Sequence, residues 1–256
     1  RQVAMDDPHV LPTLSRTVDA INRQGAVANI ELSHGGMYAG LSSIGGEEMS
    51  GKGRAYGPST FSMPSGETVY EMPEDMIADI TKAWGTAAAR AKKAGFGMVM
   101  VHAGHGWLFN QFLSPRYNHR QDRFGGSLEN RLRAAREILE GIKQECGSDF
   151  PVSMRLGLKT FVKEFEQATL TGEKEIGRTI EEGVEIAKLL ESYGYDCLNV
   201  DTGIYDSFYY ACPPMYMPKG YLVELAAKAK AAVNIPILAG GRMNDPEIAE
   251  AAIRDG

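Results

Sequence analysis

His102 and His105 stand three residues apart in VHAGHGW, where the apolar run FGMVMV ends. Two imidazoles leaving a strand end can each donate a ring N–H to one oxygen. If that oxygen belongs to a carbonyl conjugated to an alkene, the two bonds stabilise the enolate formed when hydride adds at the β-carbon. Preorganised donors at such an oxygen contribute about 2.7–4 kcal/mol each. The same pair could ligate a metal, which needs a further ligand; His119 and Asp122 are the nearest choices. A structural role for both rings is the plain alternative.

Other strand ends carry chemistry too. Arg155 lies inside VSMRL, and a cation in an apolar strand is costly unless paired. It must meet an acid or an electron-rich ligand. The N1–C2=O edge of a flavin, which gains negative charge on reduction, suits it, and so does a salt bridge. Glu31, at the end of AVANIEL, could accept from a heteroaromatic N–H. Gly240-Gly241-Arg242 follows ILA and offers backbone N–H groups and a cation, the ingredients of a phosphate cradle. Tyr205, Phe208, Tyr209, Tyr210 and Tyr216 crowd one loop. One phenol there could donate a proton, though an aromatic pocket wall is the simpler reading. Gly125, Gly126, Arg120, Asp122 and Arg131 read as loop scaffolding.

The elements that must position these residues form one rhythm. Short apolar strands are predicted at 26–32, 96–101, 152–156, 197–200 and 235–239. Helical patterns occupy 12–24, 72 to about 93, 127 to about 145, 179–192 and 221–233, and a last one opens at Asp245-Pro246. The stretch from 37 to about 71 is irregular, with room for a small hairpin or lid, and 159–175 reads as a polar, lid-like loop. Strands alternating with helices imply an α/β fold with a parallel sheet, its runs hydrophobic on both faces. Polar residues at every strand C-terminus suit a (β/α)8 TIM barrel. An open doubly wound sheet would also place them there, but no G-x-G-x-x-G turn occurs.

Composition narrows the partners. The net charge is −6, with no basic run, which argues against nucleic acid or an anionic membrane. No apolar stretch reaches the roughly 18–20 residues of a membrane span. The three cysteines, Cys146, Cys197 and Cys212, are scattered, as in a cytoplasmic protein with reduced thiols. A small-molecule substrate is expected, and an oligomer is compatible.

HAGHGWLFNQFLSPRYNHRQDRFGGSLENR resembles the signature of the Old Yellow Enzyme family of FMN-dependent (β/α)8-barrel oxidoreductases. IELSHGG, SMRLG, VDTGIYD and ILAGGRMNDP resemble its other barrel-strand motifs, in order, over nearly the whole chain. GIYDSFYYACPPMY and ELSHGGMYAG look most like the bacterial 2-enoate reductases and bile-acid-type enone reductases. The resemblance implies that His102 and His105 bind the substrate oxygen over the flavin. It implies that Glu31 contacts the flavin pyrimidine edge and Arg155 lies by N1 and O2. Gly241 and Arg242, with Gly240 beside them, would hold the phosphate. Trp107 would lie in the substrate site, where the family usually has a Tyr that protonates the α-carbon. Trp has no titratable proton, so Tyr205, with Tyr209 and Tyr210 behind it, or water, would take that role. Ser207 lies near a further catalytic position of dienoyl-CoA reductase.

The implied reaction passes hydride from NAD(P)H to FMN and on to the β-carbon of an α,β-unsaturated carboxylate, thioester or ketone. The five strands then correspond to the third to seventh of the barrel, so residues 1–256 are expected to be one FMN-binding domain, incomplete, and to bind FMN weakly alone. In larger relatives a 4Fe–4S segment and FAD/NAD(P)-binding domains follow the barrel; these residues show neither. The competing readings are an amine dehydrogenase or demethylase of the same family, a metal-dependent barrel lyase or hydrolase using His102, His105 and His119, and a ligand-binding fragment.

Overall fold

The computed structural model describes residues 3–39, 54–164, 167–169 and 174–255. In chain order its elements begin with α1 (Leu11–Asn22), β1 (Asn29–Leu32), β2 (Ala55–Gly57), β3 (Phe61–Ser62), β4 (Thr68–Glu71) and α2 (Glu74–Ala94). There follow β5 (Met98–Ala103), α3 (Leu108–Leu113), α4 (Leu128–Arg131), α5 (Arg133–Cys146) and β6 (Val152–Lys159). Then come β7 (Val162–Glu164), β8 (Gln167–Ala168), α6 (Ile180–Tyr193), β9 (Cys197–Thr202) and α7 (Phe208–Ala211). The last are α8 (Val223–Lys230), β10 (Ile237–Ala239) and α9 (Pro246–Arg254).

The predicted strands form one five-stranded sheet in the order β1-β5-β6-β9-β10, parallel throughout. Neighbours in space are neighbours in the strand-helix rhythm, so the order never reverses as it does in a doubly wound sheet. Helix boundaries follow the expected signals. Ser127, Thr179 and Asp245 cap with their side chains, and Gly95 and Gly194 stop helices at φ 102°.

The expectation of two apolar faces is corrected by the register. Val99 pairs with Val152, Val101 with Met154, Met154 with Leu198 and Leu156 with Val200. This face packs on Ala88, Ile138, Ile142, Ile186 and Leu190 of the helices. Alternation sends the other residues to the opposite face. Glu31 pairs with Met100, His102 with Arg155, and Arg155 with Asn199, while Asp201 follows Asn199 by two. Glu31, His102, Arg155 and Asp201 therefore share one polar face.

Three further expectations are refined. The helix opening at Ser127 is two, α4 and α5, joined at Leu132. Between His105 and that helix lies α3, buried along its whole length. The irregular stretch before α2 holds a three-stranded sheet, β2-β4-β3; the rest of the expected lid, 40–53, lies outside the described residues. β7 and β8 form a small antiparallel pair within the other lid-like loop. The loop after α3 is scaffolding, as read. Buried Arg120 binds Asp122 and donates to the carbonyls of Pro58 (2.9 Å) and Met72 (2.7 Å), fastening the small sheet. Among the described residues, no helix is long and apolar enough to cross a membrane.

Candidate active site

The polar face carries a chain of charges. His102 Nδ1 lies 3.2 Å from Glu31 Oε1, and the other Glu31 oxygen is 3.4 Å from Arg155 Nη1. Arg155 donates from Nε (2.8 Å) and Nη2 (2.6 Å) to Asp201 Oδ2. That oxygen is also 2.6 Å from His105 Nε2. So the acid that half-buried Arg155 requires is in place twice over. Neither imidazole contact is aligned as a hydrogen bond: His102 Nδ1 and His105 Nε2 are buried without such a partner.

The two rings lie edge to face, centroids 5.3 Å apart, and Trp107 is 5.6 Å from His102. Trp107 is the N-cap of α3. His105 has φ 54°, a left-handed conformation unusual for a non-glycine residue. It is held there by a bridge to Ile204. Gln111 of α3 secures the surroundings: it accepts from Met37 N (3.1 Å) and donates to the carbonyls of Gly35 (3.1 Å) and Gly106 (2.8 Å). A Cβ at Gly36 would fall 2.3 Å from Gln111 Oε1, so glycine is required there. Nothing in sequence spacing pointed to Gln111; its role follows from the fold of two loops onto one helix.

Two cavities open beside this face. The larger, about 1290 Å³, is lined by Glu31, His34, His102, His105, Trp107 and Arg155, and reaches past β1 to α2. His34 accepts from Gly36 N–H at 3.0 Å, and burial lowers its pKa. The smaller cavity, about 470 Å³, is lined by Arg155, Asp201, Cys212, Gly240, Gly241 and Arg242. Arg155 is common to both.

Electrostatics separate the buried groups. Burial, then the charges of His105 and Arg155, lower the His102 pKa to about 3 against the opposing pull of Asp201. Burial alone would raise the Asp201 carboxyl. Contact with His105, the charges of His105 and Arg155, and the Thr202 N–H outweigh that, and its pKa is lowered.

Not every predicted residue joins the set. Tyr205 is 39% exposed and packs edge-on against Tyr38, with centroids 4.7 Å apart; it lines neither cavity. Tyr209 is exposed, and Tyr210 stacks on Phe161 at 3.8 Å. The Ser207 hydroxyl is buried, donating to the Thr160 carbonyl and accepting from Ile204 N, which makes it a loop staple. His119 is exposed, its N–H donating to Ser59. Among the described residues no group of three His, Cys, Asp or Glu could hold a metal ion.

A parallel α/β sheet with paired histidines and an arginine lining cavities at its strand ends is an arrangement suited to a small-molecule ligand. The chain belongs to the NADH:flavin oxidoreductase / NADH oxidase family, whose model matches residues 2–256. It is 47% identical over 194 residues to a cinnamate reductase from Clostridium sporogenes, which covers 75% of this chain and 29% of that protein. Among solved structures it resembles a 2-naphthoyl-CoA reductase complex (TM-score 0.85, 33% identity, 100% of this chain and 38% of that one). It also resembles histamine dehydrogenase from Rhizobium sp. 4-9 (TM-score 0.81, 26% identity, 98% and 34%). The chain thus spans about a third of the length of these relatives.

The site fits FMN, the cofactor that the family implies. Gly241 (φ 76°) and Arg242 (φ 53°) are successive left-handed residues that turn the chain sharply after β10, where both line the smaller cavity. Arg242 spends Nη1 on the Pro214 carbonyl (2.8 Å), while its buried Nε has no partner. A Cβ at Gly241 would meet the Tyr221 ring at 2.7 Å. Nothing lies within 4 Å of a Cβ at Gly240, which leaves room.

Proposed function

We propose that this chain is the FMN-binding part of an ene-reductase that reduces the C=C bond of an α,β-unsaturated carboxylate, thioester or ketone with electrons from NAD(P)H. The observation that carries this reading is the pair His102 and His105, lining one cavity with orphaned ring nitrogens beside Arg155. Bound flavin would supply the hydride. Arg155 and Glu31 would hold its pyrimidine edge, and Gly241 and Arg242 its phosphate. The histidines would orient the substrate oxygen and stabilise its charge as the enolate forms. The likeness to a cinnamate reductase favours an enoate with an aromatic substituent.

An amine-oxidising role is the second reading, supported by the likeness to histamine dehydrogenase. It would call for an aromatic enclosure for a cation. The exposed rings of Tyr205, Phe208 and Tyr209 line neither cavity, which favours the first reading.

The barrel is proposed to be incomplete within these residues. Among the described residues both edge strands, β1 and β10, have an open flank, and Leu238 is 46% exposed. A 4Fe–4S cluster or FAD domain would lie outside them.

The test is anaerobic turnover of the full-length flavoprotein on a panel of enoates. With His102→Ala and His105→Ala combined, NAD(P)H should still reduce the flavin at the wild-type rate, while alkene reduction falls at least about 10²-fold. Equal losses in both half-reactions would sink the oxygen-binding role.

A further inference from the structure

Trp107 stands beside His102, ring centroids 5.6 Å apart, and both line the larger cavity with His105. Its backbone is fastened at three points. The Trp107 N–H donates to the Gly104 carbonyl (3.1 Å), and its own carbonyl accepts from Gln111 N (2.9 Å). The next N–H, of Leu108, donates to the His34 carbonyl (3.0 Å). As N-cap of fully buried α3, Trp107 cannot shift its backbone without moving that helix. An indole has one polar group, the Nε1–H, which donates and never accepts. Among the described residues no acceptor meets the Trp107 Nε1–H, and the atom is not buried. An unused donor therefore stands open on a residue of the cavity wall. The nearby acids are turned elsewhere: Glu31 to His102 and Arg155, Asp201 to Arg155 and His105.

The number of donors bears on the ligand. A ketone or thioester brings one carbonyl oxygen, whose two lone pairs the two imidazoles can satisfy. A carboxylate brings two oxygens and about four acceptor positions. With its first oxygen on the histidines, its second would be left charged and bare, which is costly away from water. A third N–H in the same wall removes that cost, and a bond to a charged oxygen is stronger than one to a neutral carbonyl. Arg155, in the same lining, adds positive charge.

We propose that Trp107 determines specificity: its indole N–H takes the second oxygen of a carboxylate whose first oxygen is held by His102 and His105. The site then selects free α,β-unsaturated carboxylates over ketones and thioesters. The proposal rests on the ene-reductase reading and narrows its substrate class. No proton leaves the indole; Trp107 binds and orients.

The experiment is calorimetric titration of the oxidised full-length flavoprotein with phenylpropanoate and with benzylacetone. These saturated, unreactive ligands share an aryl chain and differ in presenting a carboxylate or a methyl ketone. Wild type should bind the carboxylate at least about tenfold more tightly than the ketone. Trp107→Phe keeps an aromatic ring but removes the N–H, and the carboxylate-to-ketone affinity ratio should fall about 10–10²-fold. Trp107→Tyr restores a donor and should recover part of that ratio. Flavin absorbance confirms that each variant is folded. Equal loss of both ligands in Trp107→Phe makes Trp107 an aromatic wall and overturns the proposal. So does a wild type that binds the two ligands equally, whatever the variants do. Turnover then tests the underlying reading separately, with cinnamate, its S-ethyl thioester and benzylideneacetone. Faster turnover, as kcat/KM, of the thioester or the ketone than of cinnamate also overturns the proposal. If wild type reduces none of the three, the ene-reductase reading fails, and the binding ratio alone decides whether Trp107 completes a carboxylate site.

Discussion

His102 belongs to the buried face, and its lowered pKa, about 3, makes folding sensitive to acid. The ring is neutral when folded but titrates near 6.5 in the unfolded chain. As pH falls below about 6.5, the unfolded state takes up a proton that the folded state refuses until about pH 3, so stability declines through that window. From pH 6.5 to 4.5 this amounts to about 2–3 kcal/mol. His102→Gln should flatten that part of the curve, read as urea midpoints at each pH. Parallel curves for wild type and variant would show that His102 does not carry the effect. At this scale much of the site was legible. His102, His105, Arg155 and Glu31 are polar residues at the ends of apolar runs, and that placement is visible in one dimension. The Asp201 contacts were not, because they depend on which strand pairs with which. Gln111 was invisible for the same reason. Tyr205 lies outside both cavity linings, because proximity in sequence to Asp201 does not set the direction of a side chain beyond the strand end.

Among elements, the five strands were readable because each is a short apolar run closed by glycine or a polar residue. The faces were not. Ser153, Arg155, Gly157, Asn199 and Asp201 alternate with apolar neighbours in β6 and β9, yet the runs look continuously hydrophobic at a glance. The small β2-β4-β3 sheet was only half foreseen, since its strands are two to four residues long and depend on Arg120 from a distant loop. The close fit of α6 on β6 leads to a sharper expectation. Gly183 lies on the buried side of α6, and a Cβ there would fall 2.1 Å from the Leu158 carbonyl oxygen. The contact is backbone, so no rotamer change relieves it. Gly183→Ala should push α6 away from the strand that carries Arg155 and cost about 1–3 kcal/mol of stability. Thermal unfolding measures this. An unchanged midpoint would mean that the helix slides freely on the sheet, contrary to its packing.

For the molecule as a whole, the sheet decides what the site can hold. Its polar face is closed on one side by the apolar face and helices, but the larger cavity runs past β1 to Met76, Ile80 and Trp84 of α2. At the other edge Leu238, which pairs with Asn199 and so belongs to the polar face, is 46% exposed. Arg155 and Arg242, which line the smaller cavity, would hold a flavin close to an edge of the sheet that is open among the described residues. Burial of ligand surface sets much of small-molecule affinity. Residues 1–256 alone should therefore bind FMN at least tenfold more weakly than the full-length protein, a difference of about 1.4 kcal/mol. Flavin fluorescence titration of both compares them directly. Binding should persist in weakened form, because Gly241 and Arg242 are shaped within these residues, and Arg242→Ala should weaken it further. Equal affinity of the two proteins would mean that β1 and β10 already bound the flavin site, and the barrel reading of the open edges would fall.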